Sequence, residues 1–237
     1  MVIAMFLAHL FGDYILQWNS LAAWKSREQK GVLAHASVVL LVTWLFSLPF
    51  NSNWSVWVLF IGLSHLTIDS LNLFLSQRFP ALNQGMASLA RFAVDQTLHL
   101  TIIFLALILS GYLSMPVLPL QLATTFHQYR LLAYLLGYAF LMMPSWVILK
   151  FLIYGFMNNS APNFAEGCDK YVGSLERWMI TTLVILGQYM LVPLVAVPRL
   201  VFEGRNMFDN PRLNLYLAEL LASITLAIVI GLGLKQL

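Results

Sequence analysis

The sequence has little charge. Only 10% of its 237 residues are Asp, Glu, Lys or Arg, whereas 60% are hydrophobic. Soluble domains carry about 25% charged residues, so this chain cannot cover itself with a solvated surface. The mean hydropathy of +0.78 indicates the same. A water-soluble fold would expose large apolar patches, whereas a bilayer accepts apolar side chains on the outside of a protein. We therefore expect an integral membrane protein in contact with membrane lipid.

Cysteine and an excess of one charge sign are also scarce. The single cysteine, Cys168, excludes an internal disulfide and a cysteine-rich metal site. The net charge of +3 is small and spread over loops, which indicates membrane topology rather than nucleic-acid binding. The first hydrophobic stretch contains His9 and Asp13 and lacks a basic n-region, so we expect no cleaved signal peptide there.

Long hydrophobic runs, by contrast, are abundant. A helix crosses the bilayer with about 20 mainly apolar residues. Seven segments fit this requirement: 2–18, 31–48, 55–77, 88–112, 130–156, 172–197 and 213–234. The sequence therefore predicts an all-α polytopic transmembrane helical bundle of about seven spans, in a range of six to eight. Residues 1–237 are expected to form a single integral-membrane domain.

Lys and Arg in the loops predict the orientation, because they accumulate on the cytoplasmic side. With seven spans, one side collects Lys25, Arg27, Lys30, Arg78, Arg91, Lys150, Lys170, Arg177 and Lys235. The other side collects Arg130, Arg199, Arg205 and Arg212. This asymmetry predicts an N-terminus outside and a C-terminus in the cytoplasm.

Polar residues inside the predicted spans form a repeated pattern. Three pairs share one spacing: His9-x3-Asp13, His65-x3-Asp69 and Asp95-x3-His99. Positions i and i+4 of a helix lie on one face, so each pair can direct an imidazole and a carboxylate to one point. Five His and five Asp placed at random would give roughly 0.2 such pairs. Chance therefore does not explain the three.

The predicted orientation brings these residues to one depth. The pairs of the third and fourth spans lie in the cytoplasmic halves of those spans, and Asp13 approaches the same level at the end of the first span. His35 lies near the cytoplasmic start of the second span. The orientation was assigned without these residues, so their common depth is independent support for a His/Asp cluster in the first four helices, residues 1–112.

A divalent metal would explain this cluster. Each charge inside the hydrocarbon costs about 2.5–3.5 kcal/mol, so the carboxylates need a neutralising partner. Imidazole and carboxylate without thiolate suit Zn²⁺, and also Mn²⁺ or Fe²⁺. The seven candidate ligands are His9, Asp13, His35, His65, Asp69, Asp95 and His99. They exceed what one tetrahedral ion uses, so we expect one or two ions. Gln17, Asn72 and Gln96 are candidates to hydrogen-bond these ligands.

Other interpretations remain open at this point. The His/Asp pairs can be structural hydrogen bonds between helices, or they can conduct ions or protons. His35 has no acidic residue at i±4 and is equally explained as a ligand or as a helix-end residue. Glu219 either joins the polar centre or pairs with a neighbouring helix, and Glu176 and Arg177 are explained by the membrane interface alone.

Several of these motifs resemble a known family. The chain reads His9-Leu-Phe-Gly-Asp13-Tyr-Ile-Leu-Gln17, Lys25, His35, His65-x-x-Ile-Asp69 and Asp95-Gln96-x-x-His99. This order is similar to the bacterial membrane-protein family called domain of unknown function 3307, which reads roughly HLLGDFLLQ, Lys, His, HxxID and DQxxH. Gly173-Ser-Leu-Glu-Arg177 resembles the family's GxLER segment. The chain departs from the family at Val197-Pro198 and Asn214-Leu215, where Lys-Ser and Glu-Tyr pairs are usual.

The family's His/Asp pattern is in turn similar to the membrane-bound metal-dependent hydrolases. The resemblance implies a bacterial inner-membrane protein with a metal site. We expect a hydrolase of a lipid or lipid-linked phosphate or ester at the cytoplasmic side. Asp13, Asp69 and Asp95 are the catalytic candidates, since an unligated carboxylate can act as general base. Lys25 and Arg27 are the candidates to bind substrate phosphate. The alternatives are a metal-ion or proton transporter, and a non-catalytic subunit with a structural metal site.

Overall fold

The structure is a computed structural model that describes residues 1–51, 53–160, 162, 164, 169–205 and 213–237. Every element of secondary structure in those residues is helical, which confirms the prediction of an all-α protein. The chain divides into two compact units, Met1–Leu136 and Gly137–Leu237. The single domain expected for residues 1–237 stays a prediction.

The described residues of the first unit form a series of helices. These are α1 (Val2–Leu10), α2 (Asn19–Lys25), α3 (Gln29–Ser47), α4 (Ser55–Arg78), α5 (Gly85–Leu109), α6 (Leu118–Gln128) and α7 (Arg130–Leu141), the last of which continues into the second unit. A π-helical turn, Phe11–Ile15, extends α1. Pro80 disfavours helical geometry at Phe79, which has φ −128° and ψ 79°, so α4 ends at Arg78.

Helix α3 lies at the centre of the first unit. It packs against α1, α2 and α4, while α5 packs against α4. Two glycines permit the close contacts of α3. A Cβ at Gly12 would lie 3.1 Å from Val39, and one at Gly31 would lie 2.5 Å from the backbone of Trp24. Both α2 and the π-helical turn therefore approach α3 closely, on the side where His35 is buried.

Four helices are long and apolar enough to cross a membrane: α3, α4, α5 and α11 (Leu213–Lys235). The pair Arg130–Leu141 and Met143–Met157, bent by 44°, would be a fifth span if it crosses as one. Helix α4 exposes Val56, Leu59 and Leu63 at 71%, 53% and 62%, as a lipid-facing surface would. The structure thus agrees with a membrane protein. The count of seven spans and the orientation are not confirmed and stay predictions.

The second unit adds α8 (Met143–Asn158), α9 (Asp169–Ile185), α10 (Val192–Arg205) and α11. Helix α9 packs against α11, where Gly231 contacts Val184. The segment 172–197 was predicted as one span, but it is divided. Helix α9 ends at Ile185, and Gly187 then adopts φ +74°, a left-handed conformation that interrupts the helix.

Arg177 is buried at the bend between α7 and α8. Pro144, in the first turn of α8, has no N–H to donate, and the chain turns at Met142. Arg177 Nε donates to the Leu141 carbonyl at 2.9 Å, and Arg177 Nη2 donates to the Met142 carbonyl at 2.9 Å. Its Nη1 donates to Ser223 Oγ on α11 at 3.1 Å. Arg177 therefore supports a broken helix.

Two ion pairs account for the remaining acidic residues that the sequence singled out. Glu219 on α11 lies 3.1 Å from Lys150 Nζ on α8, so it pairs with a neighbouring helix. Glu176 on α9 lies 3.0 Å from Arg199 Nη1 on α10. These contacts belong to the packing of the second unit.

Candidate metal centre

The seven candidate ligands all come from the first unit. Helix α1 and its π-helical turn supply His9 and Asp13, α3 supplies His35, α4 supplies His65 and Asp69, and α5 supplies Asp95 and His99. π-Helical turns are rare and occur frequently at functional sites. Asp95 is half-buried, and the other six side chains are buried.

Five of these residues form two groups that could hold a metal ion. Asp13, His35 and His65 form one group, and His65, Asp69 and His99 form the other. Within each group the three ligand atoms lie within 4.8 Å of one another. His65 belongs to both groups, so the two positions are adjacent.

Distances around His65 match a coordination shell. His65 Nε2 lies 3.1 Å from His35 Nε2 and 3.2 Å from Asp69 Oδ2. His35 Nε2 lies 3.0 Å from Asp13 Oδ1. Two imidazole nitrogens bound tetrahedrally to one Zn²⁺, each at about 2.0–2.1 Å, lie about 3.3 Å apart. The side chains are therefore spaced as ligands of a shared ion would be.

Unsatisfied polar atoms surround Asp69. Both of its carboxylate oxygens and His99 Nε2 are buried and make no hydrogen bond of good geometry. His99 Nε2 lies 3.5 Å from Asp69 Oδ1 and 3.6 Å from Asp95 Oδ1. Asp69 Oδ2 lies 2.9 Å from Lys25 Nζ, so Asp69 Oδ1 and His99 Nε2 are the two atoms left unpaired. A buried polar atom left unpaired costs about 1–3 kcal/mol, and a divalent cation would satisfy both atoms. The imidazole and carboxylate donors therefore fit a bound metal ion.

Lys25 at the end of α2 also reaches the carboxylates. Its Nζ lies 2.9 Å from Asp69 Oδ2 and 3.7 Å from Asp13 Oδ1, and it donates to Gln17 Oε1 at 3.3 Å. Burial alone would lower the pKa of Lys25, but the two carboxylates raise it above its ordinary value, so the ammonium stays charged. Lys25 thus neutralises the same oxygens that a metal would bind.

Amide side chains fix the periphery of the cluster. Gln96 Nε2 donates to Asp13 Oδ2 and to Asp95 Oδ2, both at 3.0 Å, and its Oε1 lies 3.3 Å from His9 Nε2. Asn72 donates to Asp95 Oδ1 at 2.9 Å. Gln96 and Asn72 thus hydrogen-bond candidate ligands as the sequence predicted, whereas Gln17 accepts its hydrogen bond from Lys25. His9 and Asp95 lie outside the two three-ligand groups.

The cluster borders a polar cleft of about 390 Å³. Its polar lining includes Gln17, Lys25, Asp69, Asn72 and Arg91. On the other side, His9, His65 and His99 border a cavity of about 10 Å³, which is close to the space of one water molecule. Asp69 therefore belongs both to a metal-binding group and to the wall of the cleft.

The two cations expected from the sequence to bind substrate differ in position. Lys25 lines the cleft, whereas the side chain of Arg27 is exposed and is not part of the cleft wall. Sequence reasoning used Arg91 only for orientation, yet its Nη1 donates to Asn72 Oδ1 at 2.6 Å within the cleft. The spacing in the sequence could have placed Arg91 at the site, because Arg91, Asp95 and His99 occupy positions i, i+4 and i+8 on one face of α5.

Comparison with known proteins identifies a family and no function. The family described as protein of unknown function (DUF3307) matches residues 1–133, which include every residue of the metal-binding groups and of the cleft. No curated protein and no solved structure matches the chain. The similarity in motif to the membrane-bound metal-dependent hydrolases is therefore not confirmed. Because the match covers more than half of its length, the chain belongs to the DUF3307 family.

Proposed function

We propose that the protein is a divalent-metal-dependent hydrolase that acts on a lipid or lipid-linked phosphate or ester. One observation carries the proposal: the buried ligands Asp13, His35, His65, Asp69 and His99 converge on one cluster, and one of them, Asp69, also borders a polar cleft. A purely structural network would not need a polar cleft beside one of its carboxylates.

The residues divide into holding and proton-transferring roles. The two groups that share His65 would hold one or two ions, with zinc as our first choice. A bound divalent ion supplies polarisation of a phosphoryl or acyl oxygen and a lowered pKa of water. Asp95 lies outside both groups, and its oxygens accept hydrogen bonds from Asn72 and Gln96. This orients a half-buried carboxylate, which would accept a proton from the attacking water as general base.

The membrane arrangement is part of the proposal. We place the protein in the bacterial inner membrane with seven spans, the N-terminus outside and the cleft open to the cytoplasm. Four long apolar helices support the membrane location. Lys25 and Arg91 support the sidedness, since both line the cleft and basic residues accumulate on the cytoplasmic side.

Metal content is the first test. We expect one or two equivalents of metal per chain by elemental mass spectrometry of the detergent-purified protein, and loss of metal in His65→Ala and in Asp69→Asn. His127→Ala is the matched control, because His127 is exposed near the end of α6. A wild-type protein without metal, even after reconstitution with Zn²⁺ and Mn²⁺, would contradict the proposal.

Turnover is the second test. In a screen of phospholipids and prenyl phosphates, Asp95→Asn is expected to keep the metal and to lose about 100-fold or more in rate, because general-base catalysis contributes about 10²–10⁴-fold. Asp69→Asn is expected to lose both. Retained turnover in Asp69→Asn would count directly against a metal-dependent reaction.

The contacts of Lys25 favour one competing function, a non-catalytic subunit in which the cluster only fixes helix packing. Its ammonium group already neutralises Asp13 and Asp69 without an ion. This alternative predicts variants of the cluster that are less stable and equally active. Conduction of ions or protons is less well supported. Such a path would continue through the small cavity on the far side of the cluster, and that cavity is lined mainly by apolar residues such as Met5, Val39 and Ile61.

A further inference from the structure

We propose that Arg91 and Lys25 form a phosphate-binding subsite in the polar cleft, so that the substrate carries a phosphate group. The inference deepens the proposed function and rests on it for the reaction. The subsite itself is a claim about binding and is tested by binding.

Arg91 lies one turn before Asp95 on α5 and is attracted by it without contacting it directly. Its Nη1 donates to Asn72 Oδ1, while its Nε is buried and has no hydrogen-bond partner. Within the described part of the chain, no carboxylate lies within ion-pair distance of Arg91. A guanidinium group presents a planar fork of donors that matches two phosphate oxygens, so a bound phosphate would pair the charge and satisfy Nε.

Two cations belong to the cleft wall. Lys25 is paired there with Asp69 and Asp13, whereas Arg91 has no carboxylate at ion-pair distance among the described residues. Lys25 reaches the cleft from α2 and contacts Asp69 at 2.9 Å. A phosphate held between the two cations would therefore lie beside the carboxylate that both the cleft and the metal-binding group share.

The uncharged part of the wall suits phosphate as well. The uncharged residues of the cleft wall are mostly polar: Gln17, Ser26, Asn72, Ser76 and Asn83 line it, and only Ala22 and Leu73 of its lining are apolar. A substrate without phosphate, such as a neutral carboxylic ester, offers only a carbonyl acceptor and would leave the charge of Arg91 without an anion at ion-pair distance. The volume of about 390 Å³ exceeds what a single phosphate group needs and accommodates the group to which it is esterified.

Equilibrium dialysis of the purified full-length protein with radiolabelled inorganic phosphate tests the subsite, with metal content measured on the same preparations. Arg91→Gln is expected to weaken binding by about tenfold or more, since a charge-assisted bidentate pair is lost. Arg91→Lys keeps the charge without the fork and is expected to weaken it by about threefold. Arg78→Gln, an exposed arginine at the end of α4, is expected to change binding by less than about twofold.

The same assay separates two sources of phosphate. Dioctanoyl phosphatidate and inorganic phosphate compete for the labelled ligand, and dioctanoylglycerol serves as the lipid control without phosphate. Displacement by phosphatidate at a concentration at least about tenfold lower identifies a lipid headgroup, because the acyl chains add burial. Equal displacement identifies a soluble phosphate compound. Both results support a phosphate subsite.

Two results overturn the inference. One is the absence of binding at 10 mM phosphate, a concentration about a hundredfold above a dissociation constant of about 0.1 mM. The other is binding that is unchanged in both Arg91 variants. The results also distinguish failure of the phosphate subsite from failure of the proposed hydrolase function. Arg91-dependent phosphate binding in a protein that holds no metal would remove the hydrolase and keep the subsite. Hydrolysis of carboxylic esters without phosphate binding would keep the hydrolase and remove the subsite.

Discussion

Lys25 and a metal ion would neutralise the same two carboxylates, and this competition can be measured. In Lys25→Met, Asp13 and Asp69 lose their ammonium partner while they stay buried. Removing one partner of a buried pair costs about 3–5 kcal/mol, or about 6–20 °C in melting temperature for a chain of this size. We expect this loss in chelator-treated protein and a much smaller one after zinc is added, because the ion replaces the lost charge.

Thermal unfolding in detergent, followed by tryptophan fluorescence, measures both states. Lys30→Met is the control, since Lys30 is exposed at the start of α3. An equal loss of melting temperature with and without zinc would show that no ion replaces Lys25 at the carboxylates.

His35 is the residue that the sequence left undecided. It is completely buried and its Nε2 lies 3.0 Å from Asp13 Oδ1 and 3.1 Å from His65 Nε2. We expect His35→Ala to lower zinc affinity by about 10–100-fold or more, since even residues that only support ligands contribute that much. Competition with a chelating indicator measures the affinity. An unchanged affinity in His35→Ala would leave His65, Asp69 and His99 as the sole ligand group.

Sequence spacing predicted the pairs within each helix and not the contacts between helices. The i+4 rule places His65 with Asp69 and Asp95 with His99, because both members lie on one helix. It says nothing of His35 against Asp13, or of Lys25 against Asp69, since these contacts depend on how α1, α2 and α4 pack around α3. Arg91 was not predicted as a site residue, because it was counted only among the basic residues that indicate the cytoplasmic side.

At the scale of elements, the bend between α7 and α8 depends on a residue from another helix. Arg177→Met removes the charged donors to the Leu141 and Met142 carbonyls, which then keep only the hydroxyl donors Ser145 and Ser174 and have no water to replace the guanidinium in lipid. We expect a loss of about 2–4 kcal/mol, or about 5–15 °C in melting temperature, with Arg177→Lys intermediate because an ammonium group satisfies fewer acceptors.

Arg130→Met serves as control for this effect, because Arg130 is exposed at the start of α7. Thermal unfolding measures all three variants. If Arg177→Met has the same melting temperature as the wild type, Pro144, Ser145 and Ser174 maintain the bend without the guanidinium group.

Hydropathy predicted the long helices well and their interruptions poorly. The segments 31–48, 55–77, 88–112 and 213–234 correspond to the helices α3, α4, α5 and α11. The segment 172–197 has the same apolar character, but the left-handed Gly187 divides it. An average over a window of residues does not register a single backbone conformation, so span counts from hydropathy are least certain where glycine or proline lies inside an apolar run.

For the whole molecule, the number of spans decides on which side of the membrane each loop lies. Single cysteines can be introduced into a Cys168→Ser background and labelled with a membrane-impermeant maleimide, in intact cells and in inverted membranes. Arg27→Cys fixes the starting point, and we expect it to react from the cytoplasm, as the nine-to-four distribution of basic residues predicts. Asn159→Cys, Val201→Cys and Gln236→Cys then test the second unit.

We compare three arrangements, with seven, five and four spans, in each of which α3 begins in the cytoplasm. Seven spans place Asn159 and Gln236 in the cytoplasm and Val201 outside, which is the result we expect. Five spans, with the bent helix pair crossing once and the segment 172–197 not crossing, place Asn159 and Val201 in the cytoplasm and Gln236 outside. Four spans, with the bent pair re-entrant, place Asn159 and Val201 outside and Gln236 in the cytoplasm. These three arrangements differ in their patterns, so either alternative result would replace the seven-span topology while leaving the cleft and the start of α3 on the cytoplasmic side.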